Sequence, residues 1–169
     1  MPIIPQSHFA EQRLEQAALG DKYKCDYGID QDFSKAFEWY LKAADQGYHN
    51  VGEFYRIGQG VTMDYSQTRI WYLKAAKQGN ADAQHGIGTL YLHGLSVPRD
   101  YSQAAYWLLK SADQGQPRAQ CSIGYMCNVG YGVPQDHIQA MQWYLKAADQ
   151  GNAPAQFNLG WAYEYLPIK

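Results

Sequence analysis

Four stretches of the chain spell nearly the same helix. FEWYLKAADQG ends at Gly47, IWYLKAAKQG at Gly79, YWLLKSADQG at Gly115 and QWYLKAADQG at Gly151. Trp39, Trp71, Trp107 and Trp143 stand 32, 36 and 36 residues apart, and Asp32, Asp64, Asp100 and Asp136 keep the same intervals. A fixed period in this range marks a stack of supersecondary units. One unit of that size cannot bury its own apolar face, so it must lie against copies of itself.

Periodicity inside a unit says what the unit is. Ala36, Trp39, Tyr40 and Ala43 fall at i, i+3, i+4 and i+7, an apolar stripe on a helix, and Ala83, Ile87, Leu90 and Tyr91 do the same upstream. No strand-like alternation competes. Each unit is therefore two helices, with the recurring Trp expected in the core. The Asp that opens the second helix can cap it, and Gln67, Gln103 and Gln139 follow at capping-box spacing. Between the helices, Gly58-x-Gly60 and Gly130-x-Gly132 suit a tight turn; Asp26 and Ser96 replace one glycine each in the first and third units, so an altered turn is expected at Ser96. Gly20, Gly52, Gly88, Gly124 and Gly160 lie inside the first helices. Glycine costs a helix about 1 kcal/mol against alanine there, and its recurrence predicts helix contacts too close for a Cβ.

The stretch AQHGIGTLYLHGLSVPRDYSQAAYWLLKSADQG, with about ten positions recurring at fixed offsets, resembles the Sel1-like repeat, a relative of the tetratricopeptide repeat. The likeness covers nearly the whole chain. It implies an all-α fold, an α/α superhelical solenoid of about four and a half helix-turn-helix repeats, with the first helix of each pair building a concave wall. The units run over 7–47, 48–79, 80–115 and 116–151, followed by a half-repeat at 152–166, all within one domain of 1–169. The second unit is short: five residues separate Gly47 from Gly52, where nine separate Gly79 from Gly88. Four residues is close to one helical turn, so the helix starts late with its inward face kept.

The resemblance implies an adaptor or scaffold function, with a protein or peptide partner. Some bacterial members serve as immunity partners of secreted toxins, which makes a dedicated inhibitor the alternative. Cysteine-rich members have been linked to β-lactam binding, a remoter hydrolase alternative, but those carry paired cysteines in every repeat and this chain has three in all.

The residues themselves point away from catalysis. No nucleophile arrangement stands out around Cys121 or Ser122, and G-x-S-x-G is absent. His85 and His93 sit two turns apart on one helix, about 12 Å, and cannot share a metal; His49, His85 and Glu53 on neighbouring helices are a bare candidate. No catalytic residue, metal or cofactor is expected. The surface of the first helices is where packing does not dictate identity. There the early units offer His49, Glu53 and Arg56, then His85, Thr89 and His93; the late units offer Tyr125, Asn128, Phe157, Trp161 and Tyr165. Aromatics and Arg are the usual anchors of interfaces, so these are the candidate partner-binding residues.

Net charge is −2 without a basic cluster, which speaks against a nucleic-acid partner. No stretch approaches the roughly 20 apolar residues of a membrane span. The opening MPIIPQSHF does not read as a signal peptide. Cys121 and Cys127 are spaced too far along one helix to bridge, and three free thiols suit a reducing compartment. The expectation is a cytoplasmic location, or a periplasmic or secreted one if a signal peptide has been removed. Leu159, Trp161, Tyr163, Tyr165, Leu166 and Ile168 crowd the final segment. One helical stripe cannot bury them all, which predicts a homodimer through the C-terminal helix.

Overall fold

A computed structural model describes residues 6–25, 30–44 and 49–165, with side chains from 11 to 164 within those spans. The described residues form helices and turns without a strand, so the fold is all-α. The chain divides into two compact units, Met1–Gln78 and Gly79–Lys169. The first holds α1 (Gln6–Cys25), α2 (Phe33–Ala43), α3 (Asn50–Ile57) and α4 (Tyr65–Lys77). The second holds α5 (Ala81–His93), α6 (Tyr101–Asp113), α7 (Pro117–Val129), α8 (His137–Ala148) and α9 (Ala153–Tyr165). α3 has 8 residues where α5 and α7 have 13, and it still buries Val51, Gly52 and Phe54. The short repeat does start late and keep its inward face.

The core is not built on the recurring Trp. The fully buried ring or branched side chain is the next residue: Tyr40, Tyr72, Leu108 and Tyr144 are each no more than 4% exposed. Small residues flank each of them, as Ala36 and Ala43 do in α2 and Ala140 and Ala147 in α8. One residue is a rotation of about 100° on a helix, enough to carry each Trp to the edge of the stripe. There a lysine three residues on lies over the indole, with Nζ 4.0 Å from the Trp39 centroid, 4.1 Å from Trp71 and 4.2 Å from Trp143. At Trp107 the distance is 5.6 Å, because Lys110 sits nearer to Tyr106. The W-x-x-K pattern is thus a half-exposed cation–π pair rather than a core plug.

The expected close contacts of the helix glycines occur at four of five positions. A Cβ on Gly52 would stand 2.5 Å from Tyr72, on Gly88 2.5 Å from Leu108, on Gly124 2.7 Å from Tyr144 and on Gly20 3.2 Å from Tyr40. Gly160 has nothing within 4 Å: among the described residues, no second helix lies on α9 as α8 lies on α7.

Asp32, Asp64, Asp100 and Asp136 cap α2, α4, α6 and α8, each carboxylate accepting a first-turn N–H at 2.7–3.1 Å. The reciprocal half of a capping box does not form. Each aspartate's own N–H donates instead to a carbonyl of the preceding helix: Tyr23, Tyr55, Tyr91 and Cys127, at 2.9–3.0 Å. With that donor already used, the Gln139 side chain turns to accept from Cys127 Sγ at 3.0 Å. The turn at Ser96 is kept: Ser96 takes φ 58°, beside 68° at Gly60 and Gly132. Serine thus accepts a left-handed backbone at some steric cost. At Gly132 no side chain could, since a Cβ would lie 2.1 Å from the Tyr101 carbonyl oxygen. Asp26 and Gly47 lie outside the described residues.

A further set of contacts ties the second unit together along its length. The buried amides of Gln84 and Gln120 accept from Gln114 Nε2 (2.7 Å) and Gln150 Nε2 (2.8 Å). Gln120 Nε2 and Gln156 Nε2 donate to the carbonyls of Ala112 and Ala148, each at 3.3 Å. Gln120 and Gln156 thereby grip the end of the second helix before them, and Gln84 and Gln120 grip the end of the second helix after them.

Candidate functional site

The eleven candidate surface residues fall in both units. In the first, they are spent on one another. Arg56 donates from Nε and Nη2 to Glu53 Oε2 at 2.9 and 2.7 Å, and the Tyr72 hydroxyl donates to Glu53 Oε1. Burial alone would raise the Glu53 carboxyl, but hydrogen bonds from Arg56 and Tyr72, with the charges of Arg56 and His49, hold it below its ordinary range. The Tyr40 hydroxyl makes the same bond to Asp21. Burial and these carboxylates both push the two phenols well above their ordinary value.

In the second unit, His85, Thr89 and His93 lie apart from the pocket that the late residues line. Thr89 Oγ1 turns back to the His85 carbonyl at 2.9 Å, an interaction within α5, and His93 is the exposed last residue of that helix. Tyr125, Asn128, Phe157 and Trp161 do come together. They line a pocket of about 270 Å³ between α7 and α9, floored by Tyr144 of α8 and completed by Asn158 and Ala162. Phe157 is 74% exposed, Trp161 45% and Tyr125 44%. The Tyr165 side chain lies outside the described residues.

The walls are held from behind. Tyr125 meets Tyr131 edge-on at 6.2 Å, and Tyr131 stacks on Tyr101 at 4.4 Å and 12°. Asn128 Oδ1 faces His137 Nδ1 at 2.8 Å. Such buttressing fixes rotamers before a ligand arrives, which lowers the entropy lost on binding. Tyr144, Asn158, Ala162 and the supporting Tyr131 were not among the residues singled out by the sequence. Tyr144 is masked there by its place in the apolar stripe, and Tyr131 by lying in a turn.

Among the described residues no three His, Cys, Asp or Glu gather as a metal site. Cys121 and Cys127 are free thiols, and burial pushes both above their ordinary value, which makes them poor nucleophiles. No helix of the described residues is long and apolar enough to cross a membrane.

Comparison with known proteins agrees with this architecture. The family model described as Sel1 repeat matches residues 16–48, 47–80, 81–116, 117–152 and 153–167. A Sel1 repeat protein from Oxalobacter formigenes has a similar structure, with a TM-score of 0.82 at 35% identity, covering 89% of this chain and 63% of that one. The uropathogenic Escherichia coli protein c5321, described as a protective antigen displaying an SLR fold, gives 0.79 at 37% identity, covering 89% of this chain and 33% of that one. This chain thus spans less than two thirds of the length of either. Helicobacter pylori cysteine rich protein B gives 0.63 at 21% identity over 79% of this chain and 98% of that one, a likeness of fold alone. No curated protein matches the chain.

Proposed function

We propose, from the premise that this chain belongs to the Sel1 repeat family, that it holds a peptide or protein segment in the groove between α7 and α9 and performs no catalysis itself. Proteins of this family are generally protein–protein interaction modules and typically non-enzymatic scaffolds, and the groove is where this chain has the means to be one. The observation that carries the reading is the exposure of three large aromatic side chains around a single preformed recess. A large aromatic at the centre of an interface commonly contributes more than its share of affinity. The toxin-inhibitor and hydrolase alternatives gain no support from the site or from the relatives.

Two substitutions test the reading. Tyr125→Ala and Trp161→Ala should each weaken the partner by more than about 1 kcal/mol while leaving the helical circular dichroism intact. Gln142→Ala, on an exposed face of α8, should do neither. Equal effects from all three would refute the groove. A second copy of this chain is the competing occupant. Light scattering over a concentration series identifies it, since mass would then rise with concentration and fall back with Trp161→Glu.

A further inference from the structure

The same glycine-on-ring contact recurs through the repeats, and the residue after the glycine varies with the ring beneath it. In the first unit Gly20 lies on Tyr40 and precedes Asp21, whose carboxylate accepts the Tyr40 hydroxyl. Gly52 lies on Tyr72 and precedes Glu53, whose carboxylate accepts the Tyr72 hydroxyl. In the second unit Gly88 lies on Leu108, which has no hydroxyl, and precedes Thr89, which has no carboxylate. Donor and acceptor are present together or absent together. The exception is Gly124 on Tyr144: the phenol is there, but the next residue is Tyr125.

Tyr144 is 4% exposed, and its hydroxyl makes no hydrogen bond to any described residue. Tyr144 floors the pocket, and none of the other described lining residues is charged. A hydroxyl at such a floor without a partner among the described residues forgoes a contribution that Tyr40 and Tyr72 both make. Burial keeps this phenol protonated, so its O–H stays available to donate. Asn128 and Asn158 supply amide groups beside it, and Phe157, Trp161 and Tyr125 supply apolar walls around it.

We infer that the groove takes a protein segment bearing an Asp or Glu side chain, whose carboxylate accepts the Tyr144 hydroxyl as Asp21 and Glu53 accept theirs, with a neighbouring apolar residue of the segment seated against Phe157 and Trp161. This deepens the groove reading and rests on it. A hydrogen bond from a buried donor to a carboxylate is stronger than one to a neutral oxygen. The aromatic walls exclude water from it and strengthen it further. The phenol therefore selects for the acid within whatever sequence the walls accept.

The test uses the full chain and peptides chosen by it. Random peptides displayed on phage are selected on the immobilised protein, and a selected peptide is synthesised with both termini blocked, so that only side-chain carboxylates remain. Its affinity is compared with that of the same peptide carrying Glu→Gln or Asp→Asn. We expect the amide version to bind about tenfold more weakly, the loss of one charge-assisted hydrogen bond. Tyr144→Phe should lose the same factor toward the acid peptide and nothing further toward the amide one, a coupling that places the two groups in contact. Trp161→Ala should weaken both peptides alike. If Trp161→Ala weakens binding while neither the amide swap nor Tyr144→Phe matters, the carboxylate inference falls and the groove reading stands. If blocking the termini abolishes binding, the acid is a chain end and the side-chain assignment falls. If no peptide is selected, or Trp161→Ala changes nothing, both readings fall together.

Discussion

Removing one oxygen from Tyr72 and one from Tyr144 should have different consequences for stability, although the two rings occupy the same place in their repeats. Tyr72 is 1% exposed and its hydroxyl donates to Glu53, which also accepts two bonds from Arg56. A hydrogen bond to a charged acceptor contributes about 1.5–3 kcal/mol. The Glu53 side chain keeps 35% of its exposure and Arg56 stays attached to it, so water can replace part of the loss and the lower end applies. Tyr72→Phe should therefore cost about 1.5 kcal/mol, or roughly 3–6 °C in the thermal midpoint of a chain this long. Tyr144→Phe removes a hydroxyl with no hydrogen-bond partner among the described residues and should change the midpoint by no more than about 1–2 °C in either direction. The pH dependence comes from the depressed Glu53 carboxyl. A carboxyl lowered by folding stabilises above its unfolded value, near pH 4.3, and that stabilisation is lost as pH falls through the folded value. The deficit of Tyr72→Phe should accordingly be full at neutral pH and shrink below about pH 4. Thermal melts by circular dichroism at neutral and acid pH measure all of this. Equal losses for the two variants at neutral pH, or a Tyr72→Phe deficit that grows in acid, would refute the pairing of Tyr72 with Glu53 and with it the contrast drawn at Tyr144.

Two further outcomes check the packing. Trp107→Ala should cost only about 1–2 kcal/mol, partial burial plus a weak cation–π pair, whereas Leu108→Ala should cost about 2–5 kcal/mol; denaturant titration ranks them, and the reverse order would restore Trp to the core. Gly124→Ala should destabilise by about 1–3 kcal/mol because its Cβ meets Tyr144 at 2.7 Å, while Gly160→Ala should be neutral or stabilise by up to about 1 kcal/mol, which a melt of each variant decides.

Much of this architecture was legible in the residues. The period gave the repeat, the i, i+4 spacing gave two helices per unit, and Asp32, Asp64, Asp100 and Asp136 marked where second helices begin. Recurrence pointed to Trp, which stands in all four units, and not to the large apolar residue beside it, which is Tyr in three and Leu108 in one. Only the rotation of the helix against its neighbours separates a ring under lysine from a ring under glycine. The site was half legible. Tyr125, Asn128, Phe157 and Trp161 stood out because packing did not dictate them, and they share one recess. Glu53 and Arg56 stood out on the same ground and are bound to each other and to Tyr72, since divergence between repeats also arises where a local pair replaces another. Tyr144 was hidden because its ring conforms to the pattern and only its hydroxyl departs from it. Leu166 and Ile168, on which the crowding of the C-terminal end partly rested, lie outside the described residues.

The glutamine contacts bear on how such a chain can change its length. Gln120 accepts from Gln150 and donates to Ala112, so its amide has a fixed direction and a partner at both ends. Duplicating or deleting a segment of 36 residues, the interval from Trp107 to Trp143, returns every such amide to an equivalent pair. An insertion of any other size within the helices leaves a buried amide facing carbon, at a cost of about 1–3 kcal/mol for each orphaned group. Where these bridges run, in the second unit, whole-repeat changes are therefore the least costly, and smaller insertions are cheapest in the turns, where no amide bridge is crossed; the short second repeat, with its 8-residue α3, lies in the first unit.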